Sequence, residues 1–158
     1  LPVAASLGRA GPGFESEVWA LPSVEPRRVA LVGTRSLDPG EQELARELGL
    51  AVFTMSEVDR RGLEAVIRDA LALVEGAAFV HVSLDMDVVD PDTAPGVGTP
   101  VRGGLSYREA HLAMELIAEA GVLGSLEIVE VNPILDHENQ TARLAVELAA
   151  SALGARIL

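Results

Sequence analysis

The chain has 158 residues, a formal net charge of −12 at pH 7 and no cysteine. This length is sufficient for one domain with a sizeable core, and we expect one α/β domain or part of one. The acidic balance argues against a nucleic-acid partner and favours a cationic ligand. The lack of cysteine excludes disulfides and thiolate nucleophiles and favours a cytoplasmic location. Because all basic residues are arginine, a lysine Schiff base and a P-loop lysine are excluded as well.

The N-terminal segment gives two further expectations. It lacks the basic start of a signal peptide, and no apolar run in the chain is long enough to span a membrane, so we expect a soluble protein with no membrane partner. The chain starts with Leu1 rather than methionine, on an apolar segment without a helix cap. Both features indicate a chain that is entered midway.

Strand and helix patterns alternate along the sequence. Short apolar runs predict strands at Arg28–Gly33, Leu50–Met55, Ala78–Leu84 and Ser125–Val131. Capping residues and terminating glycines predict helices that finish near Leu7 and that run over Asp38–Gly49, Ser56–Gly76, Ser106–Gly121 and Glu138–Leu153. Strands that alternate with helices predict a three-layer αβα domain with a mainly parallel sheet.

The candidate chemistry lies in the stretch HVSLDMDVVDPDTAPGVGT, residues 81–99. If the third strand continues into it, Asp85 and Asp87 lie on one face with Cα atoms about 6.5 to 7 Å apart. Two such carboxylates repel each other unless a cation lies between them, so we predict a metal site. Hard oxygen ligands suit magnesium, calcium or manganese. A calcium EF-hand loop is disfavoured, because the positions that it requires carry Val89, Asp90 and Gly96.

Other polar residues have a structural and a functional interpretation. Glu130 ends the fourth strand, where it is either solvated or a buried carboxylate directed at a cation. Asp38 is explained by helix capping alone, and Asp90 by an Asp-Pro turn. We interpret His81 as a hydrogen-bonded core histidine.

Several segments together resemble a known family. They are SLDMDVVDP at 83–91, APGVGTPVRGGLSYREA at 94–110 and LEIVEVNPILD at 126–136, with TRSLDPGEQELARELG and FTMSEVDRRG upstream. These segments are similar to the C-terminal half of the manganese ureohydrolases, the arginase and agmatinase family, and most of all to bacterial arginases. The LDPGE turn and the EVNP strand end favour arginase. The resemblance implies that residues 1–158 form the C-terminal portion of a single arginase-like domain, with the N-terminal half absent from this chain.

The resemblance also implies a reaction and a metal centre. Asp85 would bridge two manganese ions, and Asp87 would bind one of them. Such a pair activates water, which here would attack the guanidinium carbon of L-arginine and yield L-ornithine and urea. The family's remaining ligands, a histidine and a D-x-H-x-D cluster, and its histidine proton shuttle come from the N-terminal half and are not in this chain.

For the substrate, the resemblance implies that Glu130 holds the guanidinium as a catalytic residue and that Thr99 lines the same pocket. Asp38 and Glu41 would recognise the α-amino group. Ser36 stands where many arginases carry aspartate, which loosens the substrate assignment. The alternatives are an agmatinase or other guanidino hydrolase, and a half-domain without catalytic activity. We expect the complete protein to be a homo-oligomer.

Overall fold

The computed structural model describes residues 2–14 and 16–155. The strands are β1 (Ala30–Thr34), β2 (Ala51–Thr54), β3 (Val80–Asp85) and β4 (Leu123–Val129). The helices are α1 (Pro2–Ser6), α2 (Pro39–Leu48), α3 (Met55–Arg61), α4 (Leu63–Leu73), α5 (Tyr107–Ala120) and α6 (Gln140–Ala152). Single 3-10 turns lie at Pro12–Phe14, Pro26–Arg28 and Met86–Val88. Leu1, the first residue of the predicted N-terminal helix, lies outside the described residues.

The strands pair in parallel, as predicted. β1 pairs with β2, and β3 pairs with β4, with Asp85 opposite Val129 at the carboxyl end of the second pair. In the described part of the chain these are two separate pairs rather than one continuous sheet. The carboxyl ends of both pairs nevertheless meet, because Arg35 after β1 contacts the turn that follows β3.

A helical layer formed by α4, α5 and α6 covers one face of the strands, and the core lies between them. The residues of β3 alternate in burial: Val80 and Leu84 are buried, Val82 packs against the core, and His81 and Ser83 are exposed. The prediction of a core position for His81 is wrong. The ring is exposed, although its Nδ1 lies 2.7 Å from the Ser125 hydroxyl on the neighbouring strand.

The predicted capping of α2 and α5 is confirmed. Asp38 begins α2 with a capping box, in which its Oδ1 accepts from the Glu41 amide at 2.8 Å and Glu41 accepts from the Asp38 amide at 2.9 Å. Ser106 forms the same motif at the start of α5. Gly49 ends α2 in the left-handed conformation that glycine adopts without strain.

The predicted helix over Ser56–Gly76 is in fact two helices. Thr54, not Ser56, begins α3, because Glu57 stands three residues after it and accepts from its amide at 3.0 Å. Gly62 then adopts a φ of 81°, which is not helical, and it ends α3 before α4 begins at Leu63. The capping pattern starting at Thr54 and this glycine signal were both present in the sequence.

The last helix begins later than predicted. Glu138 and Asn139 adopt φ values of 51° and 59°, which are left-handed rather than helical, so α6 starts at Gln140. Gly154 follows its end with a φ of 91°, as predicted. Ser151, near the end of α6, is buried, and its hydroxyl lies 2.9 Å from Nδ1 of His111.

Candidate metal and substrate site

The two aspartates are adjacent, but not in the way that an extended strand predicts. β3 ends at Asp85, and Asp87 belongs to the 3-10 turn Met86–Val88. The turn forms because the Asp85 Oδ1 accepts from the Asp87 amide at 2.9 Å, which is a local bond typical of aspartate. The pair therefore lies at the carboxyl end of β3, where ligands bind in parallel sheets.

Asp87 has one oxygen with a partner and one without. Its Oδ2 accepts from the Thr99 hydroxyl, which joins the two predicted site residues directly. Its Oδ1 is buried and has no hydrogen-bond partner among the described residues. A buried acceptor without a donor costs about 1 to 3 kcal/mol, so this oxygen is well suited to a cation.

The electrostatics around Asp85 also favour a cation. Partial burial raises the pKa of the Asp85 carboxyl group, and the charges of Asp87 and Glu130 raise it further. The hydrogen bond from the Asp87 amide and the charge of Arg35 act in the opposite direction. A positive ion at this point would relieve the repulsion between the carboxylates.

Glu130 lies close enough to act on this pair, and its backbone is unusual. It follows β4 with a φ of 65°, a conformation that non-glycine residues rarely adopt. Its Oε2 lies 3.5 Å from the point that a Cβ on Gly98 would occupy, so it approaches the loop that carries Thr99. Glu130 is exposed in this chain, which does not match the alternative of a buried carboxylate. Strained residues of this kind are concentrated at functional sites.

Asp38 and Glu41 are not joined to the acidic cluster by their side chains. The hydrogen bonds of both carboxylates, within the described ranges, are those of the capping box. Their capping function is confirmed, and a contact with substrate stays a prediction.

Asp90 forms the predicted turn and also holds a second loop in place. It accepts from the Asp92 amide at 3.0 Å and from the amides of Gly103 and Gly104 at 2.7 and 3.2 Å. These three bonds lower the pKa of Asp90, and the bond from the Asp92 amide has the largest effect. The loop after Thr99 is therefore fixed to the turn that follows the aspartate pair.

Gly96, ahead of Thr99, forms hydrogen bonds through both of its backbone groups, and no sequence motif indicates these contacts. Its amide donates to the buried Thr141 hydroxyl at 2.7 Å, and its carbonyl accepts from the Asn132 amide at 2.7 Å. A Cβ on Gly96 would lie 2.5 Å from Asp136, so only glycine fits. These contacts join the Thr99 loop to the segment that follows Glu130.

Asp136 caps α6, because Asn139, the residue directly before the helix, forms no capping hydrogen bond with its side chain. Its carboxylate accepts from the amides of Thr141 at 3.0 Å and Ala142 at 3.2 Å. Burial raises the pKa of Asp136, but these hydrogen bonds outweigh burial and the net shift is downward. The stabilisation is therefore present above the ordinary aspartate pKa and is lost as the pH falls through the lowered value.

Replacing this cap is expected to destabilise the fold. In the full-length protein, by which we mean the whole gene product that contains these residues, Asp136→Ala should lower the free energy of unfolding by about 1 to 2 kcal/mol. Urea denaturation at pH 7 measures this loss, and the difference from wild type should narrow as the pH falls below the ordinary aspartate pKa and through the lowered value, where the folded wild-type carboxylate becomes protonated. The exposed Asp92→Ala is the control, and an equal loss in both variants would contradict the capping function.

The described residues do not complete a metal site by themselves. No group of three or more histidine, aspartate or glutamate side chains within residues 2–14 and 16–155 is arranged to bind a metal ion. Cavities of about 310 and 560 Å³ lie elsewhere, at the start of α6 and beside α2, and neither is lined by Asp85, Asp87 or Glu130.

Among the described helices, none is long and apolar enough to cross a membrane.

Comparison with known proteins decides the family. The Arginase family profile matches residues 8–154. The chain belongs to the arginase family. It is 49% identical over 158 residues to the arginase of Bacillus subtilis (strain 168), covering 100% of this chain and 53% of that relative. The predicted resemblance is thus confirmed, and the chain spans about half the length of this arginase.

Solved arginase structures confirm the predicted fold. A crystal structure of arginase from Bacillus subtilis matches with a TM-score of 0.96 and 50% identity, covering 100% of this chain and 56% of that one. An Entamoeba histolytica arginase structure, described as a complex with L-ornithine, matches with a TM-score of 0.86 and 30% identity, covering 98% and 52%. The chain therefore has the α/β fold of the corresponding part of these arginases.

Proposed function

We propose that the full-length protein is a manganese-dependent arginase that hydrolyses L-arginine to L-ornithine and urea. The observation that carries this proposal is the buried, unpartnered Oδ1 of Asp87 beside Asp85, in a chain of the arginase family. Residues 1–158 would be the C-terminal portion of a single arginase-like domain. The 53% coverage of the Bacillus subtilis relative supports this assignment.

Asp85 and Asp87 would hold the manganese ions. Both supply carboxylate oxygens, which suit manganese, and they lie two residues apart where β3 ends and the turn Met86–Val88 begins. Manganese, when bound, supplies Lewis-acid activation of water. The Thr99 hydroxyl donates to Asp87 Oδ2, which leaves Oδ1 of the same carboxylate available to hold an ion. Asp85 would hold metal together with Asp87, in the shared-ligand function that the family resemblance implies, beside the negative charge of Glu130.

The substrate would bind on the Glu130 side of the pair. A carboxylate is the natural acceptor for a guanidinium, with which it forms paired, charge-assisted hydrogen bonds. Thr99 would line this pocket, and Asp38 and Glu41 would approach the α-amino group of arginine. The net charge of −12 suits a cationic substrate, and L-ornithine in the Entamoeba histolytica arginase structure is consistent with this class of ligand. We also propose that the full-length protein is a cytoplasmic homo-oligomer without a nucleic-acid partner.

Urea release with manganese titration tests the reaction. The full-length protein should release urea from L-arginine, lose this activity after dialysis against EDTA and regain it with manganese. Activity that survives the dialysis would contradict the metal assignment. We expect a higher kcat/KM for arginine than for agmatine, which keeps both cationic ends but lacks the carboxylate. Comparable values for the two substrates would favour the agmatinase alternative.

Substitution of Glu130 separates substrate binding from metal binding. Glu130→Gln keeps the size of the side chain but removes the charge, and a charge-assisted hydrogen bond contributes about 1.5 to 3 kcal/mol, or roughly 10- to 100-fold in kcat/KM. Manganese affinity should change little. The matched control is Glu127→Gln, which changes an exposed glutamate on β4, three residues before Glu130, whose partners are His81 and Ser83. An equal loss in both variants would contradict the assignment of Glu130.

A further inference from the structure

Arg35 is a cation at the carboxyl end of β1 that forms no ion pair within the described part of the chain. Its guanidinium instead donates to three backbone carbonyls. Nη2 lies 2.6 Å from the Asp87 carbonyl and 2.6 Å from the Val101 carbonyl, which also accepts from Nε at 3.0 Å. Nη1 donates to the Val88 carbonyl at 3.4 Å. All these carbonyls belong to the two segments that carry Asp87 and Thr99.

The fit of this side chain depends on the shape of guanidinium. It is planar and carries five donors in a fixed fork, so one group can hold two chain segments at a set separation. Lysine has a single ammonium group and reaches fewer acceptors with the same geometry. Arg35 is half-buried, which limits competition from water for these bonds.

The backbone around Arg35 is shaped for this contact. Gly33 in β1 has a φ of 78°, and a Cβ at this position would lie 2.5 Å from the Val88 side chain. The absence of a side chain lets the turn Met86–Val88 pack directly against the end of β1. The approach that Arg35 requires is thus built into the strand itself.

We propose that Arg35 is a positioning residue that fixes the Asp87 turn and the Thr99 loop relative to each other, and that ties both to the loop that carries Asp38. The same two segments are also joined by the hydrogen bond from Thr99 to Asp87. The guanidinium sets the separation of the backbones at which this side-chain bond forms. Its consequence for catalysis rests on the proposed arginase function, whereas its effect on the loop does not.

The experiment compares three variants of the full-length protein. Arg35→Met removes the fork and the charge, Arg35→Lys keeps the charge alone, and Arg28→Met is the matched control. Arg28 lies before β1, is also half-buried and donates to one backbone carbonyl, that of Glu75 at 3.2 Å. It therefore reports the cost of losing an arginine on the same segment but away from the site.

Hydrogen exchange of residues 99–104 measures positioning without any assay of activity. In Arg35→Met we expect at least tenfold faster exchange at these residues, while the amides of α5 exchange as slowly as in wild type. The melting temperature of Arg35→Met should equal that of Arg28→Met. A displacement of about 1 Å is enough to cost roughly 100-fold in rate, so kcat/KM should fall to that extent in Arg35→Met. The kcat/KM of Arg35→Lys should stay below a tenth of the wild-type value.

The outcomes distinguish this inference from the proposed function. Unchanged exchange at residues 99–104 in Arg35→Met would overturn it, as would full activity of Arg35→Lys, since charge alone would then suffice. Faster exchange throughout the protein would mean general destabilisation and would also overturn it. If wild type releases no urea, the proposed function fails, and the local exchange result still decides whether Arg35 holds the two segments.

Discussion

Asp85→Asn is expected to weaken manganese binding to the full-length protein by more than about 100-fold, because loss of even an outer-shell partner of a metal ligand costs about 10- to 100-fold. Asparagine keeps the shape of the side chain and one acceptor oxygen, so the bond from the Asp87 amide can persist. What it removes is the negative charge with which Asp85 would hold the manganese ions. Urea release at limiting manganese should fall to the same extent.

The same substitution should leave the metal-free fold intact. In the absence of a cation, Asp85 is a carboxylate repelled by Asp87 and Glu130, so a neutral amide removes this repulsion and loses only the attraction of Arg35. We therefore expect an unchanged or slightly higher melting temperature in EDTA, measured beside manganese affinity by isothermal titration. The control is Asp92→Asn, which removes the same charge from an exposed position five residues after Asp87. A similar loss of manganese affinity in this control would refute a specific metal-ligand function for Asp85.

Much of the fold could be predicted because its signals are local. Short valine-rich runs mark parallel strands, and capping boxes fix the start of α2 and α5 from residues three apart. Errors arose where two local signals compete. Thr54 and Ser56 are both acceptable caps, and Glu57 at the right spacing decides for Thr54.

The details of the site depend on contacts between distant segments, which periodicity does not encode. The hydrogen bond from Thr99 to Asp87 joins a loop to a turn, and the Gly96 amide donates to Thr141 on the last helix. The left-handed backbone of Glu130 has no sequence signal, since glycine is the usual residue there. Arg35 offered one clue, as a lone cation at a strand end close to several acids.

The 158-residue chain alone is expected to be inactive and to self-associate. Two aspartates provide a bridge and one further ligand, whereas a manganese pair needs several more protein atoms to replace its water. The described strands form two pairs with unpaired edges, which favour association with other chains. Apolar side chains are also open to solvent, among them Ile134 at 91% exposure and Leu153 at 77%.

Size-exclusion chromatography and a urea assay on the purified 158-residue chain test both expectations, with the full-length protein as the positive control. We expect elution ahead of a monomer of 16.6 kDa and no urea above background at saturating manganese. The two readouts fail independently, because an inactive monomer would refute only the argument from strand edges and apolar surface. A monomer with arginase turnover would mean that residues 1–158 assemble a complete metal site, against the ligand count of the described residues.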